Sequence, residues 1–117
     1  MVIDDSTTVR RQVSSALLDA GFEVLEATDG LDGLDRLRHE RVDLVLCDVN
    51  MPRLGGLAFL EGYRRHQSPA PVVMLTTEGE PAMVARARGL GAKGWIVKPF
   101  KTELLVAAAR KLTAGAP

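Results

Sequence analysis

Residues 44–56 read Leu44-Val45-Leu46-Cys47-Asp48-Val49-Asn50-Met51-Pro52-Arg53-Leu54-Gly55-Gly56. Leu44 to Cys47 is an unbroken apolar run that ends on one acid. The segment Asn50–Gly56, with Pro52, Gly55 and Gly56, then has the composition of a loop. Apolar runs this short, with no alternation, are typical of strands covered on both faces, as in a parallel sheet. Asp48 therefore sits at the carboxyl end of a buried strand.

The same unit repeats outward in both directions. Val2-Ile3 is the stub of a first strand, ended by Asp4-Asp5, and Ser6 is placed to cap a helix that Gly21 stops. Val9, Val13, Ala16, Leu17 and Ala20 form its apolar stripe. Phe22–Ala27 reads as a second strand, broken by Thr28-Asp29-Gly30, and Leu31, Leu34 and Leu37 line the helix after it. Beyond the loop a third helix runs to about Gln67, packed through Leu57, Leu60 and Tyr63.

Pro69 and Pro71 bracket the approach to Val72-Val73-Met74-Leu75, which ends at Thr76. A fourth helix spans about Pro81–Leu90, with Pro81 tolerated in its first turn. Gly94–Val97 is the fifth strand, ended by Lys98-Pro99, and Thr102 to Leu112 the last helix. Five strands alternating with five helices predict a doubly wound α/β fold, a parallel sheet with helices on both faces. Its 117 residues suit one domain, 1–117, with an open five-stranded sheet; a barrel needs about 250 residues.

Composition narrows the function classes. Hydrophobic residues make up 46% and charged residues 26%, which supports a packed core and argues against disorder. No apolar run is long enough to span a bilayer. The one cysteine, Cys47, cannot pair internally or build a zinc cluster, so a reduced, cytoplasmic setting is expected. Net charge is zero, but residues 1–50 carry 11 acids and 5 bases whereas residues 51–117 carry 4 acids and 10 bases. That balance speaks against a dedicated nucleic-acid binder and for a molecule with two electrostatic faces.

In open α/β sheets, ligands bind outside the carboxyl ends of the strands. Four of the five strands end in polar residues there: Asp4-Asp5, Asp48, Thr76 and Lys98. The second strand lacks one, as expected at a sheet edge. Each ending has an ordinary explanation alone, as dipole compensation, a turn, a backbone-bonded hydroxyl or a solvated charge; jointly at one rim they indicate a site. Like charges about 4 Å apart repel by roughly 4 kcal/mol at an effective dielectric of 20. One lysine cannot balance three carboxylates, so either a carboxyl keeps its proton or a cation binds. A few hard oxygen donors suit Mg²⁺. A cation, a lysine and a hydroxyl around one carboxylate suit phosphoryl transfer with Asp48 as nucleophile.

At these residues the chain resembles the receiver domain of bacterial two-component response regulators. The resemblance runs through Asp4-Asp5-Ser6, Asp48-Val49-Asn50-Met51-Pro52, Gly55-Gly56, Thr76 and Lys98-Pro99-Phe100. Thr76-Thr77-Glu78 and Gly94-Trp95-Ile96-Val97-Lys98-Pro99-Phe100 resemble the chemotaxis, CheY-like branch. The resemblance implies a flavodoxin-like sheet of strand order 2-1-3-4-5 and phosphorylation of Asp48 by a histidine kinase. It implies Mg²⁺ held by Asp5, Asp48 and the Asn50 carbonyl, with Asp4 acting through water. Lys98 would bridge to the phosphoryl group, Thr76 would move to meet it, and Trp95 would turn inward as the aromatic switch. Asn50 and Glu78 would flank the path of hydrolytic water, and the Lys98–Pro99 peptide would be cis.

It further implies a monomeric phosphoacceptor rather than an enzyme, with Mg²⁺-dependent autophosphorylation and autodephosphorylation. Its expected partner is an output protein such as the flagellar motor switch, with no direct nucleic-acid binding and no membrane insertion. No output domain is expected after the last helix. Receivers usually carry several apolar residues before the acidic pair, so the first strand reads as abbreviated, and Thr77 replaces a smaller residue.

Three alternatives compete. A receiver of a larger regulator or a phosphate sink would share the site. An aspartyl-phosphate phosphatase would place a second Asp where Asn50 stands. An FMN binder would need a hydroxyl- and Gly-rich loop after the first strand, where Asp4-Asp5 stand. His39 and His66 sit at polar helix ends, and Cys47, Met74 and Met83 read as packing residues. Arg86, Arg88, Lys93, Lys101, Arg110 and Lys111 could form a basic output face.

Overall fold

Each apolar run finds its place in one parallel sheet because each must be covered on both faces. The structure, a computed structural model, describes residues 1–49, 51, 54–66, 70–77 and 81–114. The elements are β1 (Val2–Ile3), α1 (Thr7–Asp19), β2 (Glu26–Ala27), α2 (Gly30–Leu37) and β3 (Val45–Asp48). They continue with α3 (Gly56–His66), β4 (Val72–Thr76), α4 (Pro81–Gly89), β5 (Gly94–Val97) and α5 (Thr102–Thr113). The strand order is β2-β1-β3-β4-β5, all parallel, as the resemblance implied.

Side chains alternate across the strands and sort into two cores. Val2, Leu46, Val73, Leu75 and Ile96 face α1 and α5, meeting Val13, Leu17, Leu105 and Ala109. Ile3, Val45, Cys47, Val72 and Met74 face the other way, meeting Leu37, Phe59, Leu60, Tyr63 and Ala87 of α2, α3 and α4. Cys47 and Met74 are fully buried packing residues, as expected.

Helix ends follow local chemistry. The Ser6 hydroxyl accepts from Val9 N at 3.3 Å to start α1. Gly21, at φ +95°, ends it in the left-handed region that favours glycine. At α2 the Asp29 carboxylate accepts from Asp32 N at 2.9 Å, and Asp32 reaches back to Thr28 N at 3.0 Å. This is a reciprocal cap of the capping-box kind.

Three expectations need correcting. The second strand is Glu26–Ala27, not Phe22–Ala27, and pairs with Val2 and Ile3 of β1. Leu31 is exposed; the inner face of α2 is Gly30, Gly33 and Leu37, with Leu34 half-buried. At about 100° per residue, Leu31 and Leu37 lie about 120° apart and cannot both centre one stripe. Gly33 lets α2 lie close to the sheet, since a Cβ there would sit 2.5 Å from Ile3 Cδ1. Finally, Gly56 opens α3 rather than closing the loop, its N–H donating to Val49 O at 2.8 Å. Phe59, not Leu57, is then the fully buried residue beside Leu60 and Tyr63.

Candidate functional site

The sheet register decides which chain ends meet. β3 lies between β1 and β4, with Ile3 opposite Cys47 and Asp48 opposite Leu75. Thr76 is opposite Val97, and Lys98 N donates to Thr76 O at 2.6 Å, so the ladder extends one residue past β5. The Lys98–Pro99 peptide is cis. Asp4, Asp48, Thr76 and Lys98 thus emerge at one rim.

The Lys98 ammonium joins this rim together. Its Nζ lies 2.9 Å from Asp4 Oδ2 and 3.2 Å from Asp48 Oδ1. Asp4 is fully buried and also accepts from Ser6 N at 2.9 Å through Oδ1. Asp5 is exposed beside them, and the three carboxylates bring oxygen atoms within 4.8 Å of one another. Three acids thus face one ammonium.

The electrostatics follow from burial and crowding. Burial first, then the charge of Asp4, push the Asp48 carboxyl pKa upward against the pull of Lys98. Burial draws the Lys98 ammonium down, but its hydrogen bond to Asp4 and the charges of Asp4 and Asp48 outweigh it and leave its pKa raised. The Cys47 thiol is raised well above its ordinary value by burial and by the charges of Asp48 and Asp4. It donates to Asp48 O at 3.3 Å and is chemically quiet.

Among the described residues the donor set is all carboxylate oxygen, with no histidine or cysteine in the cluster. Such a set fits a hard divalent cation that keeps several waters. Thr76 is fully buried at the end of β4. Trp95 is half-buried against the α2–α4 core and pairs in register with Met74, on the same sheet face as Thr76. Its indole Nε1 is occluded and has no partner among the described residues. Asn50 and Glu78 lie outside the described residues.

Two residues at this rim escaped sequence reasoning. Arg10 donates from Nη1 to Asp4 O at 2.8 Å and from Nε to Glu26 Oε1 at 3.0 Å. The available signal was weak: Arg10 lies four residues after the Ser6 cap, facing the strand ends.

Residues 1–110 match the response regulator receiver domain family. The chain belongs to that family. The receiver is 36% identical over 111 residues to a probable chemotaxis protein CheY of Rhizobium etli, covering 92% of this chain and 86% of that protein. It is 38% identical over 103 residues to the chemotaxis protein CheY of Treponema pallidum, covering 86% and 72%. Among solved structures it matches the chemotaxis protein CheY4 of Vibrio cholerae with a TM-score of 0.90 and 38% identity, over 95% and 94% of the two chains. The receiver domain of NtrX from Brucella abortus matches with a TM-score of 0.91 and 31% identity, over 98% of each. The receiver is a phosphoacceptor module of two-component signalling.

Proposed function

We propose that Asp48 accepts a phosphoryl group from the phosphohistidine of a histidine kinase, and that this changes which partner the receiver binds. What carries the reading is Lys98 Nζ, held between Asp4 and Asp48 although these residues lie 94 and 50 positions away in the chain.

Asp48 supplies the attacking oxygen. Its O–P bond forms as the N–P bond to the donor imidazole breaks, and the electron pair leaves on that nitrogen. Lys98 moves its charge from the carboxylates to a phosphoryl oxygen, and the Thr76 hydroxyl donates to another. Mg²⁺, when bound, neutralises charge on the transferring oxygens. Asp4, Asp5 and Asp48 are the side chains that would hold it, with the Asn50 carbonyl. Slow attack of water on the acyl phosphate reverses the modification, so autophosphorylation from small donors and autodephosphorylation belong to the same site.

Thr76 and Trp95 form the switch. Movement of Thr76 toward phosphate frees space on the face it shares with Trp95. The indole N–H, occluded without a partner among the described residues, has little to lose by turning. The similarity to CheY proteins supports a chemotaxis role, with an output partner such as the flagellar motor switch. Arg88 and Lys93 beside β5, and Lys101, Arg110 and Lys111 on and before α5, are exposed and suit an acidic partner. No helix among the described residues is long and apolar enough to cross a membrane.

The test is acetyl phosphate with Mg²⁺, read by intact mass. One added phosphoryl group is expected, absent in Asp48→Asn and absent with EDTA. Trp95 emission should change in step with the mass; a fully phosphorylated protein with unchanged emission removes Trp95 from the switch. Steady turnover of phosphate monoesters would replace the receiver reading with a phosphatase.

A further inference from the structure

We infer that Arg10 is a positioning residue for the acidic cluster: through the Asp4 carbonyl it fixes the peptide that aims Asp5 at the cation. The inference rests on the proposed Mg²⁺ site and deepens it.

The need for such a residue comes from where β1 ends. Just past Ile3, Asp4 N donates to Ala27 O at 3.2 Å on the edge strand. The Asp4–Asp5 peptide leaves the sheet immediately after that bond, so its carbonyl is beyond the ladder. Arg10 Nη1 takes that carbonyl at 2.8 Å, while Nε is tied at 3.0 Å to Glu26 on the edge strand. A guanidinium is a planar, rigid fork, so anchoring one nitrogen fixes where the others point. The Arg10 side chain is only 13% exposed, which adds packing to the restraint.

Asp4 and Asp5 differ in what holds them. The Asp4 carboxylate is pinned by Ser6 N and Lys98 Nζ. The Asp5 carboxylate is exposed and has no side-chain hydrogen bond among the described residues. The peptide before it, the one Arg10 grips, sets the Cα–Cβ direction from which that carboxylate reaches the cluster. Outer partners that orient metal ligands typically matter about 10–100-fold in affinity.

Charge and positioning predict opposite signs. Arg10 is a cation near a cation site, so by Coulomb's law alone its removal should tighten Mg²⁺ binding. If its work is to aim Asp5, its removal should weaken binding. Arg10→Gln and Arg10→Lys are compared with the unaltered chain by Mg²⁺ calorimetry at physiological ionic strength, where screening acts over about 8 Å. Thermal midpoints in EDTA report folding separately.

We expect Arg10→Gln to raise the Mg²⁺ dissociation constant about tenfold. Arg10→Lys keeps the charge but not the fork, and should raise it about threefold. Tighter binding in Arg10→Gln, or a constant within twofold of the parent, overturns the inference while leaving the metal site standing. A lower midpoint with unchanged affinity does the same, marking Arg10 as merely structural. Should Arg10→Gln fail to fold, Arg10→Lys decides, since charge alone predicts no change for it. If the parent chain does not bind Mg²⁺, the metal site falls and the inference with it.

Discussion

Replacing Asp48 with Asn should make the metal-free protein more stable and the Mg²⁺-loaded protein less stable than the parent. Asp48 and Asp4 bring oxygens within 4.8 Å, a gross repulsion of at least about 3.5 kcal/mol at an effective dielectric of 20. Lys98 Nζ at 3.2 Å returns about 5 kcal/mol on the same scale. These nearly cancel once the smaller repulsion from exposed Asp5 is added. Desolvation of an Asp48 side chain that is 10% exposed then decides the sign. The upward push on its pKa gives that sign: the folded protein disfavours the ionised form.

Asn keeps the shape and a carbonyl acceptor for Lys98 without the charge. We expect a gain of about 1 kcal/mol in EDTA at neutral pH, or a midpoint about 4 °C higher. Mg²⁺ at a hundred times its dissociation constant stabilises the parent by about 2.7 kcal/mol. The variant has lost one ligand and gains less, so the two melting curves exchange rank between EDTA and Mg²⁺. The pH dependence follows from a folded pKa above the unfolded one. The parent's penalty is complete above the raised pKa, fades as pH falls through it, and is gone below the ordinary value of 3.8. Differential scanning calorimetry at several pH values measures all of this. A parent more stable than Asp48→Asn in EDTA, or equal Mg²⁺ shifts in both, would refute the electrostatic argument.

Three further outcomes are expected from packing. Gly56→Ala would put a Cβ 2.5 Å from Asp48 O and 2.6 Å from Met74 Cε, so it should cost about 1–3 kcal/mol and slow phosphoryl uptake by displacing Asp48. Gly89→Ala, with nothing within 4 Å of the added carbon, should be neutral or stabilise α4 by up to about 1 kcal/mol; equal effects at the two sites in urea melts would contradict the close-approach account. Cys47, fully buried with a raised thiol pKa, should react with a maleimide only as fast as the protein opens. Fast labelling of the native protein would show the β3 end to be looser than described.

Local signals made most of the fold legible. Ser6 and Gly21 bound α1, and the run Gly94–Val97 is β5 as the sequence reads. Strand ends carried the site, because Asp4, Asp48, Thr76 and Lys98 each break an apolar run. The extent of β2 was not legible, since an edge strand ends where its neighbour does, and β1 lies more than twenty residues away in sequence. Nor was the burial order in α2, where a glycine rather than a leucine meets Ile3. The Arg10–Glu26 pair joins two elements through charge alone, and 26% charged composition offers many such pairs to choose from.

The division of charge along the chain gains its meaning from the fold. The three acids of the cluster come from the first 50 residues, and Lys98, the ammonium paired with two of them, comes from the basic second part. Lys98 therefore joins the end of β5 to the ends of β1 and β3, across a sheet whose adjacent strands supply the other bonds. On the proposed reading, a bound cation would take over part of that neutralising work, and a phosphoryl group on Asp48 would draw Lys98 away from the carboxylates. The consequence would fall on β5, where Lys98 lies three residues after Trp95 and its N–H donates to Thr76 O. If Asp48 accepts a phosphoryl group as proposed, the change of charge at the rim and the turning of Trp95 would be linked through this one strand end.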